Sequence, residues 1–172
     1  MLTADRSLSH VAALVYFMAP AYVANMAPPF TRYWTGWNRP ISRRLLGDHK
    51  TVMGFAAGVS VAVLTTCIQS RIAWEGSVTS YDHWLELGLR FGGGAMVGDS
   101  VKSFVKRRVG IAPGKPWIPW DQLDFVLGAL SLVAGRAVLS WTDLVMILAL
   151  SLAGHIVITR MAYWTGIRDV KW

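Results

Sequence analysis

Five apolar segments, over residues 8–30, 51–70, 85–101, 122–139 and 142–164, follow one another with only short polar breaks between them. Each is near the ~20 residues that a helix needs to cross a hydrocarbon layer. Inside lipid no water is present to satisfy backbone N–H and C=O groups, so apolar segments of this length have to be helical. Only 16% of the 172 residues are charged and 53% are hydrophobic, against about 25% charged in soluble domains. The expected fold is an all-α integral membrane protein, one domain over 1–172 with five transmembrane helices. The expected loops on the basic side are 31–50 and 102–121.

Details within the segments support this division. The first carries Pro20 and ends at Pro28 and Pro29. In the third, Glu86 and Arg90 are four apart and can pair on one helical face. Its Gly92, Gly93, Gly94 and Gly98 would let neighbouring helices approach closely. The fourth and fifth are separated by a tight polar break, as in an antiparallel hairpin. All nine tryptophans (Trp34, Trp37, Trp74, Trp84, Trp117, Trp120, Trp141, Trp164 and Trp172) fall at segment ends or in loops, as in an interfacial aromatic belt.

Lysine and arginine set the expected orientation. Arg32, Arg39, Arg43, Arg44 and Lys50 lie in the first loop, and Lys102, Lys106, Arg107, Arg108 and Lys115 in the third. The second and fourth loops carry Arg71 and Arg136, while the tail adds Arg168 and Lys171. The positive-inside rule then places the first loop, the third loop and the C-terminus in the cytoplasm and the N-terminus outside. The small residues of AYVANMA also suit a cleaved signal peptide, but the apolar stretch is long and Asp5 neighbours Arg6. The net charge of +7 resides in these loops rather than along a soluble face, which favours membrane topology over a nucleic-acid partner. The single cysteine, Cys67, lies in an apolar run and leaves no disulfide framework or Cys-based zinc site.

Chemistry concentrates between Gly98 and Asp124, where three carboxylates and five cations occupy a short polar interval. Asp99, Lys102, Ser103 and Lys106 share a face if the third helix continues through them, and Asp121 and Asp124 share a face of the next. Carboxylates beside clustered Lys and Arg can hold magnesium and polyphosphate together. Placed at a membrane surface, they suggest chemistry on a phosphorylated lipid. Each residue also has a plainer reading. Asp99 can be a solvated helix-end carboxylate, Asp121 an N-cap and Asp124 a first-turn acid favoured by the helix dipole. Lys106, Arg107 and Arg108 can anchor the helix to anionic headgroups. That anchoring does not explain their interleaving with carboxylates, whereas a triphosphate site does. Pro113 and Pro116 would stiffen the loop that carries Lys115.

The first loop contributes GDHKTVMG at 47–54, which lacks the glycine spacing of a phosphate-binding Walker loop. Asp48, His49, Lys50 and Thr51 can cap the second helix while offering His49 and Lys50 to a phosphate. Asn25, deep in the first segment, can be interhelical glue or can orient a headgroup. His10, His83 and His155 have no metal-ligand spacing and read as structural or exposed.

The run S-F-V-K-R-R at 103–108, P-G at 113–114 and D-Q-L-D at 121–124 resembles the signature of the CDP-diglyceride synthases. That signature is S-x-x-K-R, a Pro-Gly or Pro-His-Gly-Gly loop, and D-R-x-D. Gln122 stands where the usual arginine would be, and the Lys-Asp and His-Gly-Gly elements are missing. These departures, with AYxANMAPP at 21–29 and GDHKTxxGFxxG at 47–58, resemble the archaeal branch of the family, the CDP-archaeol synthases.

The resemblance implies a magnesium-dependent cytidylyltransferase at the cell membrane, its active site facing the cytoplasm. It would join CTP to 2,3-bis-O-geranylgeranyl-glycerol 1-phosphate and release pyrophosphate. It further implies Asp99, Asp121 and Asp124 as metal-binding carboxylates and Ser103, Lys106 and Arg107 as the triphosphate group, with Lys102 and Lys115 beside them. Asn25, Asp48, His49 and Lys50 would lie near the lipid phosphate or the nucleotide. A groove open sideways to lipid would accept the two long chains.

Three alternatives stay open. One is a CDP-diacylglycerol synthase acting on ester phosphatidic acid. A small transporter is another, although its ionisable residues belong at mid-membrane rather than at one surface. A non-catalytic lipid-binding protein leaves the three aspartates unexplained. A phosphatidyltransferase is disfavoured because its D-G-x-x-A-R motif is missing.

Overall fold

The computed structural model describes residues 2–33, 38–112 and 115–164. Trp34, Trp37, Trp172, Pro113, Arg168 and Lys171 lie outside the described residues, as does the side chain of Arg32. Among the described residues six α-helices occur in order: α1 Leu2–Met26, α2 Arg43–Leu46, α3 Val52–Ile72, α4 Trp84–Arg108, α5 Trp120–Val133 and α6 Trp141–Trp164, with a 3₁₀ turn over Pro28–Tyr33. No β-strand occurs among the described residues; Pro40–Thr51 and Ala134–Ala137 are isolated bridges. Among the described residues three stretches, Ser7–Thr31, Val52–Ile72 and Trp141–Met161, are long and apolar enough to cross a membrane by length and composition. The helix α5, with 14 residues, is shorter than a straight span needs. The described tryptophans Trp74, Trp84, Trp117, Trp120, Trp141 and Trp164 all sit at helix ends or beside them.

Two expected boundaries change. Residues 102–108 are helical rather than loop, because α4 runs on to Arg108. The extension is sustained by its polar face, whose Lys102 and Lys106 find carboxylates on α5. The fourth segment stops being helical at Val133. Ala134 turns out of helical geometry (φ −52°, ψ 133°) and Gly135 takes φ +83°, a backbone state that disfavours side-chain-bearing residues. The first loop contains the single-turn helix α2, capped by Ser42.

The interior is built on α4. Phe91, Ala95 and Met96 are buried with Leu14, Phe17 and Met18 of α1 and Phe125, Val126 and Ala129 of α5. Phe17 and Phe91 meet edge to face with ring centroids 5.1 Å apart. Glycines on two faces of α4 set the helix spacing. A Cβ at Gly88 or Gly92 would strike the α3 backbone at Val63 or Val59, and one at Gly94 or Gly98 would strike α5 carbonyls of Gly128 or Asp124. Close backbone approach of this kind replaces hydrophobic drive in lipid, where tails are as apolar as leucine. Gly93 faces open space by comparison.

Pro20 is buried inside α1. Proline has no N–H, so the carbonyl four residues back, that of Tyr16, loses its helical donor. Gln69 of α3 supplies the missing one: its Nε2 donates to Tyr16 O at 2.6 Å, and the residue is 3% exposed. Away from the basic loops, Arg90 donates to Glu86 at 2.9 Å, as the spacing predicts, and Arg136 joins the same carboxylate. His10 pairs with Asp143 across α1 and α6 at 2.7 Å, a structural contact.

Candidate active site

The site forms where the C-terminal half of α4 crosses the start of α5. Both helices contribute because Gly98 and Gly128 bring their backbones together, so side chains on facing turns converge. Lys102 lies at the centre. Its Nζ is 3.2 Å from Asp99 Oδ1, 3.1 Å from Asp121 Oδ1 and 3.0 Å from Asp124 Oδ2. All three aspartates picked out in the sequence therefore come together, around one ammonium.

Two further lysines complete the cluster. Lys50, just before α3, pairs with Asp99 Oδ2 and ties the first loop to α4. Lys106, one turn beyond Lys102 and buried, donates to both oxygens of Asp121 at 3.0 Å and to the Lys115 carbonyl at 2.6 Å. The Trp117 N–H donates to Asp121 Oδ2 at 2.6 Å. Asp121 is thus clamped by side chains and backbone and is not an N-cap.

The charges sustain one another. Burial works to lower the Lys102 ammonium, but the carboxylates of Asp99, Asp124 and Asp121 outweigh it and hold its pKa above the usual lysine value. Burial likewise works to raise Asp121, but the Lys106 and Trp117 hydrogen bonds and the Lys102 charge hold it below the usual carboxylate range.

Other sequence-predicted residues are placed differently. Ser103 is buried and its hydroxyl donates to the Asp99 carbonyl at 2.9 Å. Arg107 turns from the carboxylates: its Nη1 donates to the Ile111 carbonyl at 2.8 Å, while its buried Nε has no partner. The Lys115 side chain is exposed, and its carbonyl is what meets Lys106. His49 lines a small polar hollow beside Lys50, Asp99 and Ser100. Asp48 forms an exposed pair with Arg43 at 3.2 Å. Asn25 is half-buried near the end of α1 and joins none of these ion pairs.

The residues fit a divalent cation in chemistry. Carboxylate oxygens are what magnesium takes, and Asp124 Oδ2 is buried with no aligned hydrogen-bond donor, its contact with Lys102 being an ion pair alone. As arranged, however, the carboxylates surround an ammonium. Among the described residues no three His, Cys, Asp or Glu side chains are gathered closely enough to hold a metal.

Beside Lys102 and Asp124 opens an apolar groove of about 510 Å³ between α4 and α5, lined by Val97, Val101, Trp117, Trp120 and Leu127 among others. The sequence signal for it is Val97, Val101 and Val105 at helical spacing, a stripe that reads equally well as lipid-facing surface. Gln122, where the resembled signature has arginine, is buried, and its Oε1 has no hydrogen-bond partner.

Known proteins resemble this chain in sequence and in fold. Residues 8–172 match the family described as CarS-like, CDP-archaeol synthase. The CDP-archaeol synthase of Methanospirillum hungatei is 34% identical over 90% of this chain and 100% of its own. That of Halobacterium salinarum is 38% identical over 94% and 97%. A solved structure of an intramembrane enzyme for archaeal membrane lipid biosynthesis superposes with a TM-score of 0.72 at 30% identity, covering 84% of this chain and 90% of that one. Sequence motifs, helical architecture and these likenesses agree: the chain belongs to the CDP-archaeol synthase family.

Proposed function

We propose that the protein transfers the CMP group of CTP to the phosphate of 2,3-bis-O-geranylgeranyl-glycerol 1-phosphate, giving a CDP-lipid and pyrophosphate. The observation that carries the reading is the junction of a buried Asp–Lys cluster with an apolar groove. A headgroup phosphate needs the first and an isoprenoid chain the second. Family membership supports the same reaction.

All five long helices span the membrane in this reading, α4 and α5 with their polar ends at the cytoplasmic face. The Lys50–Asp99 pair supports it, since it puts the two most basic loops at one end of the bundle. CTP then arrives from the cytoplasm, and the lipid phosphate meets it at the same depth.

The lipid phosphate oxygen attacks the α-phosphorus of CTP in line, the new P–O bond forming as the bond to pyrophosphate breaks. A phosphate dianion is already nucleophilic near neutral pH, so no general base is needed. The chain's work is positioning and charge neutralisation. Lys102 and Lys106 take phosphate charge, while Asp121 holds Lys106 in place. Ser103, with its proton committed to Asp99, offers an oxygen and shape rather than a phosphate donor. Arg107 and Lys115 border the site, and reach a triphosphate only by turning from their present partners. Asp99, Asp121 and Asp124 would hold magnesium, which supplies charge neutralisation between two anionic substrates. With the carboxylates so engaged, Lys102 would be free to pair with phosphate.

The test is a turnover assay in liposomes with labelled CTP, magnesium, and either the diether phosphate or ester phosphatidic acid. CDP-lipid formation that EDTA abolishes is expected, with preference for the diether. Asp121→Asn and Asp124→Asn are each expected to lower turnover at least about a hundredfold in folded protein, as for loss of a transition-state charge contact. Near-normal activity in both would remove the metal assignment. Failure to bind CTP would remove the enzyme reading.

A further inference from the structure

Among the described residues three carboxylates and three ammoniums share the cluster: Asp99, Asp121 and Asp124 with Lys50, Lys102 and Lys106. As it stands the cluster is neutral. Lys102 differs from the other two lysines in position. Of the three carboxylates, Lys50 pairs only with Asp99 and Lys106 only with Asp121, whereas the Lys102 Nζ lies 3.0–3.2 Å from all of them. Such spacing suits an ammonium and is too wide for magnesium, whose oxygen ligands lie at about 2.0–2.1 Å, so each carboxylate would close in by about 1 Å to hold the ion.

We infer that Lys102 is a resident cation that shuts the divalent-metal site in the free protein and is drawn off by the triphosphate of CTP, so that metal and nucleotide load as a unit. This deepens the reaction proposed above and rests on it. Charge explains the shut state: a divalent ion added to a neutral, buried cluster leaves two positive charges uncompensated where little water can screen them. The same ion arriving with a polyanion does not. Departure of Lys102 is also local. Asp99 keeps Lys50 and Asp121 keeps Lys106, so two carboxylates stay anchored. Asp124 alone loses its cation, and its Oδ2 is already buried without a hydrogen-bond donor, ready for a metal. Lysine suits the part, as a compact charge on a flexible stem that can swing from carboxylates to phosphate. By linkage, CTP tightens metal binding and the metal tightens CTP binding by one and the same factor.

The experiment is equilibrium dialysis of the full chain in detergent against manganese, with and without CTP, for wild type, Lys102→Met and Lys106→Met. Metal held by CTP itself is equal on both sides, so the excess on the protein side reports the site. CTP should tighten manganese binding to wild type at least about tenfold, within the usual span of coupling between two ligands. Without CTP, Lys102→Met should bind manganese at least about tenfold more tightly than wild type, and it should gain less from CTP. Lys106→Met loses the same charge but leaves the Lys102 ammonium among the carboxylates, and should stay within about threefold of wild type without CTP. Wild type that binds manganese equally well with and without CTP overturns the inference, a comparison that needs no variant. Equal gains in the two variants also overturn it, since charge alone would then set the affinity. If CTP binds but wild type holds no manganese in either condition, the metal assignment itself fails and the inference falls with it, an outcome distinct from the other two.

Discussion

Among the described residues, Lys102 is the only cation within ion-pair distance of Asp124, whereas Asp99 also has Lys50 and Asp121 also has Lys106. Replacing Lys102 with methionine keeps most of the length of the side chain, loses the ammonium, and removes three contacts of 3.0–3.2 Å. Each contact has a gross Coulomb energy of about 5 kcal/mol at an effective dielectric near 20. Most of that is cancelled by the desolvation of the groups, and removing one partner of a buried pair typically costs about 3–5 kcal/mol. Because two of the three carboxylates keep another lysine, the lower end applies, about 3 kcal/mol. For a chain of this size that corresponds to a fall of roughly 6–12 °C in Tm. Thermal unfolding in detergent with EDTA would measure it. A double-mutant cycle locates the cause: Asp124→Asn in the Lys102→Met background should recover most of the loss, and Asp99→Asn much less. Magnesium should stabilise Lys102→Met more than wild type, since the ion no longer competes with an ammonium. A Lys102→Met protein within about 2 °C of wild type would refute the view that Lys102 holds the cluster together.

Three further outcomes follow from other contacts. Gly98→Ala puts a methyl against the Asp124 carbonyl, so overpacking should cost about 1–3 kcal/mol and spread the carboxylates, with turnover falling more than CTP binding. Lys106→Met, which unclamps Asp121, should lower kcat at least tenfold more than Arg107→Met, whose guanidinium caps the Ile111 carbonyl; equal effects would return Arg107 to the phosphate site. Gln69→Leu strands the Tyr16 carbonyl freed by Pro20 and should cost about 1–3 kcal/mol in thermal unfolding, while Pro20→Ala in that background should restore much of it.

The apolar runs alone dictated helices, because backbone groups in lipid have no other way to be satisfied. Glu86–Arg90 was legible too, since residues four apart share a helical face whatever surrounds them. So was the membership of the acidic–basic cluster, as the motif residues lie close in sequence. Local spacing could not show that α4 runs on to Arg108, because that stretch is polar and its helix depends on partners from α5. Nor could it show that Gln69 repairs the break at Pro20, since its bond to the Tyr16 carbonyl joins residues 53 apart.

The same division applies to the site. Sequence determined which charges are available: Asp99, Asp121 and Asp124 with Lys50, Lys102, Lys106, Lys115 and Arg107. Only the tertiary structure decided their arrangement, with Lys102 among the carboxylates, Arg107 turned aside, and Lys115 offering its carbonyl instead of its charge. The physical reason is that helix periodicity fixes direction within one helix, whereas the crossing of α4 and α5 at Gly98 and Gly128 fixes which directions meet. The apolar groove between α4 and α5 belongs to that second kind, since side chains from both helices line it.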